Sequence, residues 1–412
     1  MESADVVIVG AGLAGLCCAR RLLESNVSAL LVEASDAVGG RVRTDRVEGF
    51  LLDRGFQVLL TAYPEARKML DYGALHLRAF EPGALVHLGN RFCRVSDPWR
   101  RPSRAVDSLL SEIGTLSDKF RVAWLRSRVC RGSVDDAFGG PEMSTLDFLH
   151  ARGFSPNIIE RFFRPFLGGI FLERELRTPS SMFRFVFRML ARGDTSIPSL
   201  GMQQIPIQLA GPIPSGNLRT RTKVESIGNN RVTLSGGEEI AARSIVVATE
   251  GPEAGRLLGD NGPGSRNVTC LYFAAEDAPI TEPILILNGE GEGPVNNLCV
   301  PSILSPEVAP PGAALISATV LDHDHLTVEQ IEAESRDQLT RWFGGQVRNW
   351  RLLRMYRIPH AQPDPSVARP TRAPRVAPNL FLCGDHCLHA SIEGAMASGR
   401  AAAEAVLSDR LA

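Results

Sequence analysis

Gly10, Gly12 and Gly15 stand between the apolar run Val6-Val7-Ile8-Val9 and a helical stretch from Leu13 to about Glu24. Glycines at this spacing, between a strand and a helix, make a turn that cradles a dinucleotide pyrophosphate. Gly10 allows the tight turn, Gly12 lets the backbone approach the phosphates, and Gly15 lets the helix lie close to the strand. The amides of Leu13 and Ala14 then face the phosphates with the positive end of the helix dipole. Val6 to Val9 is apolar on both faces, as a buried parallel strand should be. Glu33 follows the next apolar run, Leu30-Leu31-Val32, about twenty residues on, where an acid accepts hydrogen bonds from adenosine ribose hydroxyls. An acid rather than an arginine at that place disfavours a 2′-phosphate.

A second phosphate-binding loop follows at once. Glu33-Ala34 leads to Gly39-Gly40-Arg41-Val42-Arg43-Thr44, and two glycines with an arginine offer backbone amides and a guanidinium to the same pyrophosphate. At the other end, Leu380-Phe381-Leu382-Cys383-Gly384-Asp385 reads as a buried strand, and Ser391-Ile392-Glu393-Gly394-Ala395 opens a helix. Between them lie Lys223 to Ile227, a Gly/Asn turn, Arg231 to Leu234, and the strand from Ser244 to Ala248-Thr249. In all three places the chain resembles the flavin amine oxidase superfamily, which holds amine oxidases, protoporphyrinogen oxidase, and carotenoid- and squalene-type desaturases.

That resemblance implies FAD rather than NAD. It implies non-covalent attachment, because no cysteine occupies an obvious linkage position. Gly384 and Asp385 would bind the ribityl or pyrophosphate part, Val224 would lie near the adenine, and Ala248 and Thr249 near the pyrophosphate. The amide of Ile392, next to Ser391, would face the flavin pyrimidine ring, and a helix N-terminus there favours negative charge on the reduced ring. Asp53-Arg54-Gly55-Phe56-Gln57 would pass the ring and place Phe56 and Gln57 in the pocket wall.

The elements that must position these residues imply an α/β fold: a Rossmann-like, discontinuous FAD-binding domain with an inserted α+β substrate domain. The cofactor domain would comprise residues 1–78, 211–265 and 375–412, and the substrate domain 79–210 and 266–374. A hairpin at Ala84–Leu88 and Arg91–Val95, turning on Gly89-Asn90, opens the first insertion. Residues from about Pro102 to Ala191 read as mainly helical. The second insertion gives strands near Cys270–Phe273, Ile284–Leu287 and Ala314–Val320. A helix follows, capped by Thr327 and Gln330 and stopped at Gly344, then a strand from Trp350 to Ile358. Together these imply a mixed sheet with helices on one side.

At 412 residues and 44% hydrophobic content the chain can fill two or three cores. A net charge of −1 offers no electrostatic case for nucleic acid. Eight cysteines lie scattered without disulfide-like spacing, which points to a reducing, cytoplasmic setting. Only four residues precede Asp5 and the first apolar run, which leaves no room for a signal peptide. No apolar run reaches the ~18 residues of a membrane span, so the expectation is a soluble or peripheral protein.

Other side chains have the types that could do chemistry. Amine oxidases of the superfamily place an aromatic residue just before the Ile-Glu-Gly-Ala helix start, and here that position is Ser391. They also use a lysine near the flavin; Lys68 and Lys119 read as helical surface positions, and Lys223 precedes the adenine-side valine. Phe162, Phe163, Phe166, Phe171, Phe183, Phe185 and Phe187, with Met182 and Met189, suit helical core packing first and an elongated apolar tunnel second. Arg161, Arg164, Arg184 and Arg188 read as a solvated face, with a peripheral membrane patch as the sharper alternative. Cys383, His386, Cys387 and His389 do not have zinc spacing, and no metal is expected. Asp322-His323-Asp324-His325 belongs to the loop before the Thr327 cap. His360, His389 and Gln57 are the weak candidates for proton handling, each more readily a structural side chain. The leading expectation is an FAD-dependent oxidoreductase that takes hydride from a C–H bond of a small apolar, isoprenoid-like substrate. An amine or porphyrinogen oxidase, and a non-catalytic flavin-binding protein, are the alternatives.

Overall fold

The computed structural model describes residues 2–104, 112–323, 325–365 and 373–411. Two sheets dominate. The first has eight strands, and its centre is parallel: Leu218–Arg219, Ala29–Val32, Glu2–Val9, Glu239–Val247 and Leu380–Leu382 lie side by side in that order. Glu239–Val247 is long enough to serve two neighbours. Its first half takes the antiparallel Arg231–Leu234, and its second half takes Leu380–Leu382 in parallel. Val6, Val7 and Ile8 are wholly buried, in keeping with a central strand covered on both faces. The first strand begins at Glu2 rather than Val6, because Glu2 pairs in register with Ile240 and its carboxylate bonds Arg219.

The second sheet has seven strands in the order Arg351–Pro363, Ser265–Ala275, Ala314–Val320, Val295–Cys299, Leu285–Asn288, Gly83–Leu88 and Arg91–Ser96. All its pairings are antiparallel except Leu285–Asn288 with Gly83–Leu88, so the sheet is mixed. Helix Val328–Phe343 covers one face with Ile331, Leu339 and Trp342. The Thr327 side chain accepts the Gln330 amide, and Gln330 returns a bond to the Thr327 amide, closing the capping box. Strand Arg351–Pro363 runs beyond the expected Ile358 because Ser265 and Arg266 continue to pair with Pro363 and Gln362. That extension carries Ala361 and Gln362 toward the first sheet. Of the proline-rich connection, 366–372 lies outside the described residues, as does Asp324 of the 322–325 loop.

The described part of 102–192 is mainly helical, with Leu116–Val129, Thr145–Ala151, Arg164–Phe171 and Ser180–Arg192 as its main helices. Two of its arginines correct the expectation of a solvated face. Arg188 is buried and donates to the carbonyls of Val129, Arg131 and Gly132. Arg184 donates to the carbonyls of Ala137 and Gly139. Both guanidiniums tie the backbone of the preceding segment to Ser180–Arg192 by donating to its carbonyls.

Helices Leu13–Glu24 and Ile392–Leu411 pack backbone to backbone. A Cβ on Gly399 would lie 2.1 Å from the Ala14 carbonyl oxygen, and one on Gly15 would lie 2.0 Å from that of Gly10. Neither contact has a flexible side chain that could give way. Gly399→Val is therefore expected to destabilise the protein by about 3 kcal/mol or more. Urea titration checks this, with the loss appearing in the midpoint and the slope unchanged.

Candidate active site: a flavin cavity continuous with an apolar tunnel

The two glycine loops meet each other. The Gly39 amide donates to the Ala11 carbonyl at 2.8 Å, and Gly12 and Gly39 form an isolated parallel bridge. Gly10 turns at φ +104° and Gly39 at φ +119°, conformations that glycine adopts freely. Gly12 itself has φ −72°, and a Cβ there would meet nothing within 4 Å. It caps helix Leu13–Glu24 without a side-chain bond, so the amides of the first turn lack intrahelical acceptors.

A cavity of about 1030 Å³ opens over these loops. From one end its wall contains Gly10, Gly12, Leu13, Ala14, Glu33, Ala34, Gly39, Gly40 and Arg41. Ala248, Thr249, Gly384, Asp385, Ser391 and Ile392 join it from the two distant segments. Three stretches separated by hundreds of residues thus face one space. Gly15 and Val224 do not line it: Gly15 sits against Gly10, and Val224 is buried in the core beside Val232 and Leu234.

The polar groups here are held from behind. Glu33 accepts the Ala11 amide on one oxygen and the Ser35 amide and hydroxyl on the other. Arg41 forms a 2.7 Å ion pair with Asp385 and donates to the Ala361 carbonyl, joining the second loop, the C-terminal motif and the long strand of the second sheet. The nearby carboxylates of Asp385 and Glu250 favour its charged form over the opposing effect of burial. Thr249 leaves a buried hydroxyl oxygen without a partner in the wall. Open space over Gly12, helix amides awaiting acceptors, a guanidinium and an unsatisfied hydroxyl fit a pyrophosphate and its riboses. The second helix N-terminus, with Ser391, Ile392 and Ala395 in the wall, fits a ring that gains negative charge. Among the described residues no cysteine lines the cavity.

The cavity continues into the inserted helices. Phe162, Phe163, Phe166, Met182, Phe183 and Phe187 form this part of the wall with Val186 and Leu190, whereas Phe171, Phe185 and Met189 lie in the core behind. Core packing and tunnel lining are therefore shared among these side chains, and most of them take the second role. Phe56 and Gln57 line the passage, with the Gln57 amide donating to the carbonyls of Arg41 and Arg54.

The histidines stand elsewhere. His360 is outside the wall, its Nδ1 2.6 Å from the Ser265 hydroxyl. His389 is also outside it. Its ring lies against Phe138 and Phe185, and its Nδ1 is 2.9 Å from Ser391 Oγ, which also accepts the Gly394 amide. Burial lowers the His389 pKa from 6.5 to about 4, so the ring is neutral at ordinary pH and works as a positioning partner for Ser391. Among the described residues no group of three or more His, Cys, Asp or Glu could hold a metal ion.

Lys119 corrects the expectation of a surface position, because it lines the cavity with Val122 and Arg126 from helix Leu116–Val129. Lys68 is exposed and pairs with Glu65, and Lys223 is exposed. Sequence reasoning also missed Tyr63, Trp99, Asn297, Thr319 and Gln362, which reach the wall from five different segments. Tyr63, one residue before a helix-starting proline and sharing a hydrogen bond with Ser391, offered the clearest signal.

Gly12→Asp is expected to leave the fold intact, since neither φ nor space opposes it, and to abolish flavin binding by setting a carboxylate in the phosphate path. Absorbance near 450 nm and thermal melting of the apoprotein check the two halves. His389 has a native pKa below its unfolded value, so its contribution to stability is complete above pH 6.5 and is lost as pH falls toward about 4. The loss is about 3 kcal/mol. His389→Phe is expected to flatten that part of the stability–pH curve, read by denaturant titration between pH 4 and 7.

Comparison with known proteins agrees with this geometry. The family model for flavin-containing amine oxidoreductases matches residues 13–407. Protoporphyrinogen oxidase 2 of Arabidopsis thaliana is 27% identical over 169 residues, 40% of this chain and 32% of that protein. The chain thus spans about a third of that relative's length. Coproporphyrinogen III oxidase of Propionibacterium freudenreichii is 24% identical over 77% of this chain and 72% of its own. Among solved structures, an oxidoreductase from Methanosarcina mazei superposes with a TM-score of 0.75 at 16% identity, covering 98% of this chain and all of that one. A putrescine oxidase variant superposes with a TM-score of 0.74 at 16% identity, over 99% of each chain. These structural likenesses speak to the fold. With the match running nearly end to end and three motifs converging on one cavity, the chain belongs to the flavin-containing amine oxidoreductase family, as an FAD-dependent oxidoreductase.

Proposed function

We propose that the chain dehydrogenates a largely apolar, elongated substrate of isoprenoid type, removing hydride from a C–H bond. The observation that carries this reading is the wall of Phe162, Phe163, Phe166, Phe183 and Phe187, which continues without a break from the glycine loops. FAD supplies the hydride acceptor, flavin N5, when it is bound. The protein supplies orientation, exclusion of water and compensation of charge. The phenylalanines align a hydrocarbon chain and keep water from the reacting carbon. The N-terminus of Ile392–Leu411 opposes the negative charge that arrives with the hydride.

The carboxylates of the wall argue against an ammonium substrate. Asp385 pairs with Arg41, Asp97 with Arg126, Glu81 with Arg101 and Glu253 with Arg256. Glu33 is occupied by backbone amides and the Ser35 hydroxyl, and Glu250 lies beside Arg41. Each but Glu250 has a partner of its own, and Glu250 shares Arg41 with Asp385. At the position next to the second helix start, Ser391 offers a hydroxyl where an amine cage uses an aromatic ring.

Porphyrinogen oxidation is the second reading. The two sequence relatives act under that name, and Lys119 in the wall could meet a carboxylate of a substrate, beside Arg100 and Arg126, which are paired with Asp194 and Asp97. Anaerobic mixing with candidate donors separates the readings. Bleaching of flavin absorbance by polyene precursors, and not by coproporphyrinogen or putrescine, supports dehydrogenation of isoprenoids; the reverse pattern overturns it. A lipid extract of a host making the protein is expected to show an altered isoprenoid profile, absent with Gly12→Asp.

A further inference from the structure

Helix Leu116–Val129 has three different faces. Asp118 and Leu125 are buried against the body, Lys119, Val122 and Arg126 line the cavity, and Leu116, Phe120 and Trp124 face solvent. The last three are 59%, 74% and 48% exposed, and their four-residue spacing puts them on one side of the helix. Trp99, 50% exposed and itself part of the cavity wall, is tied to the same helix by the Arg126 guanidinium, 5.0 Å from its ring centre. Large apolar side chains that face water singly need no explanation, but a row of them beside a cavity mouth does.

The charges beside the row are mostly positive, although Arg126 is paired with Asp97 and Arg121 lies 3.6 Å from Asp118. The helix carries Lys119, Arg121, Arg126 and Arg128 against Asp118 alone, and that carboxylate is consumed by the Thr115 and Ser155 hydroxyls. Arg128 and Arg152 both lie over the Trp124 ring, at 5.7 and 5.3 Å. Exposed aromatics flanked by guanidiniums are the composition of a helix lying in a membrane interface, with apolar groups at the acyl boundary and cations among phosphates. A second copy of the same face would set arginines against arginines, which disfavours self-association there. The arginines of 161–188, considered for such a role from sequence, include the buried Arg188 and carry no comparable row.

We propose that this face docks on an anionic phospholipid bilayer, with the cavity mouth at Trp99, Lys119 and Val122 opening toward the acyl chains. The proposal rests on the apolar-substrate reading above, since such a substrate would then pass from bilayer to tunnel without crossing water. Among the described residues no helix is long and apolar enough to cross a membrane, so attachment is by this surface.

Co-sedimentation of the full-length holoprotein tests it, with vesicles of phosphatidylcholine plus phosphatidylglycerol and of phosphatidylcholine alone. Binding to the mixed vesicles is expected, weakened by salt and by omission of phosphatidylglycerol. Phe120→Ser combined with Trp124→Ser, neither in the cavity wall, is expected to lower partitioning by roughly tenfold or more. Flavin absorbance and melting temperature should stay at wild-type values in that variant. Wild-type protein that stays in the supernatant with both vesicles, or a double variant that sediments like wild type, overturns the proposal. So does light scattering that shows self-association through this face without vesicle binding. Turnover of detergent-dispersed polyene keeps the two readings apart: turnover without vesicle binding removes only the docking, and vesicle binding without turnover removes the substrate class.

Discussion

Helix Ile392–Leu411 reaches helix Leu13–Glu24 only because Gly399 has no side chain, and the two glycine loops are joined backbone to backbone by the Gly39 amide on the Ala11 carbonyl. Close backbone approach is the constraint on which the rest depends. It brings two helix N-termini to one cavity wall and leaves their first-turn amides facing the same space. Arg41 then closes the arrangement by bonding Asp385 and the Ala361 carbonyl together. Removing side chains from three places creates a site; adding one guanidinium joins it to the second sheet.

The tunnel depends on a different balance. Phe163 and Phe183 are almost completely removed from water and yet border the cavity, so they serve core and wall at once. Their edge and stacked contacts with Phe154, Phe162, Phe148 and Phe187 hold the rings in place without polar groups. The part of the wall built by these rings is apolar, while Lys119, Arg100 and Arg126 border the same cavity. At the polar end Asp385 has its cation in Arg41 and Glu33 its donors in the Ala11 and Ser35 amides.

What was legible in the sequence was local. The turn around Gly10 and Gly12, the capping box at Thr327 and the helix from Leu13 to Glu24 each depend on a few consecutive residues, and the structure has them where the spacing puts them. What was not legible depends on partners far away. Lys119 looked like a surface lysine because its helix has little hydrophobic periodicity; only the fold decides that one flank of that helix borders a cavity. Arg188 looked solvated because arginine usually is, and three loop carbonyls more than fifty residues away decide otherwise. Strand Arg351–Pro363 outran its apolar pattern because pairing with Ser265 and Arg266 sustains it.

Glu239–Val247 carries a further implication for how the protein is made. Its C-terminal half is bordered by Leu380–Leu382, more than 130 positions later in the chain. Until that late segment leaves the ribosome, the nascent first sheet shows an open hydrogen-bonding edge, and the Ala14 side of its first helix lacks the Gly399 helix that covers it. That edge therefore stays open while about a third of the chain is still to be made.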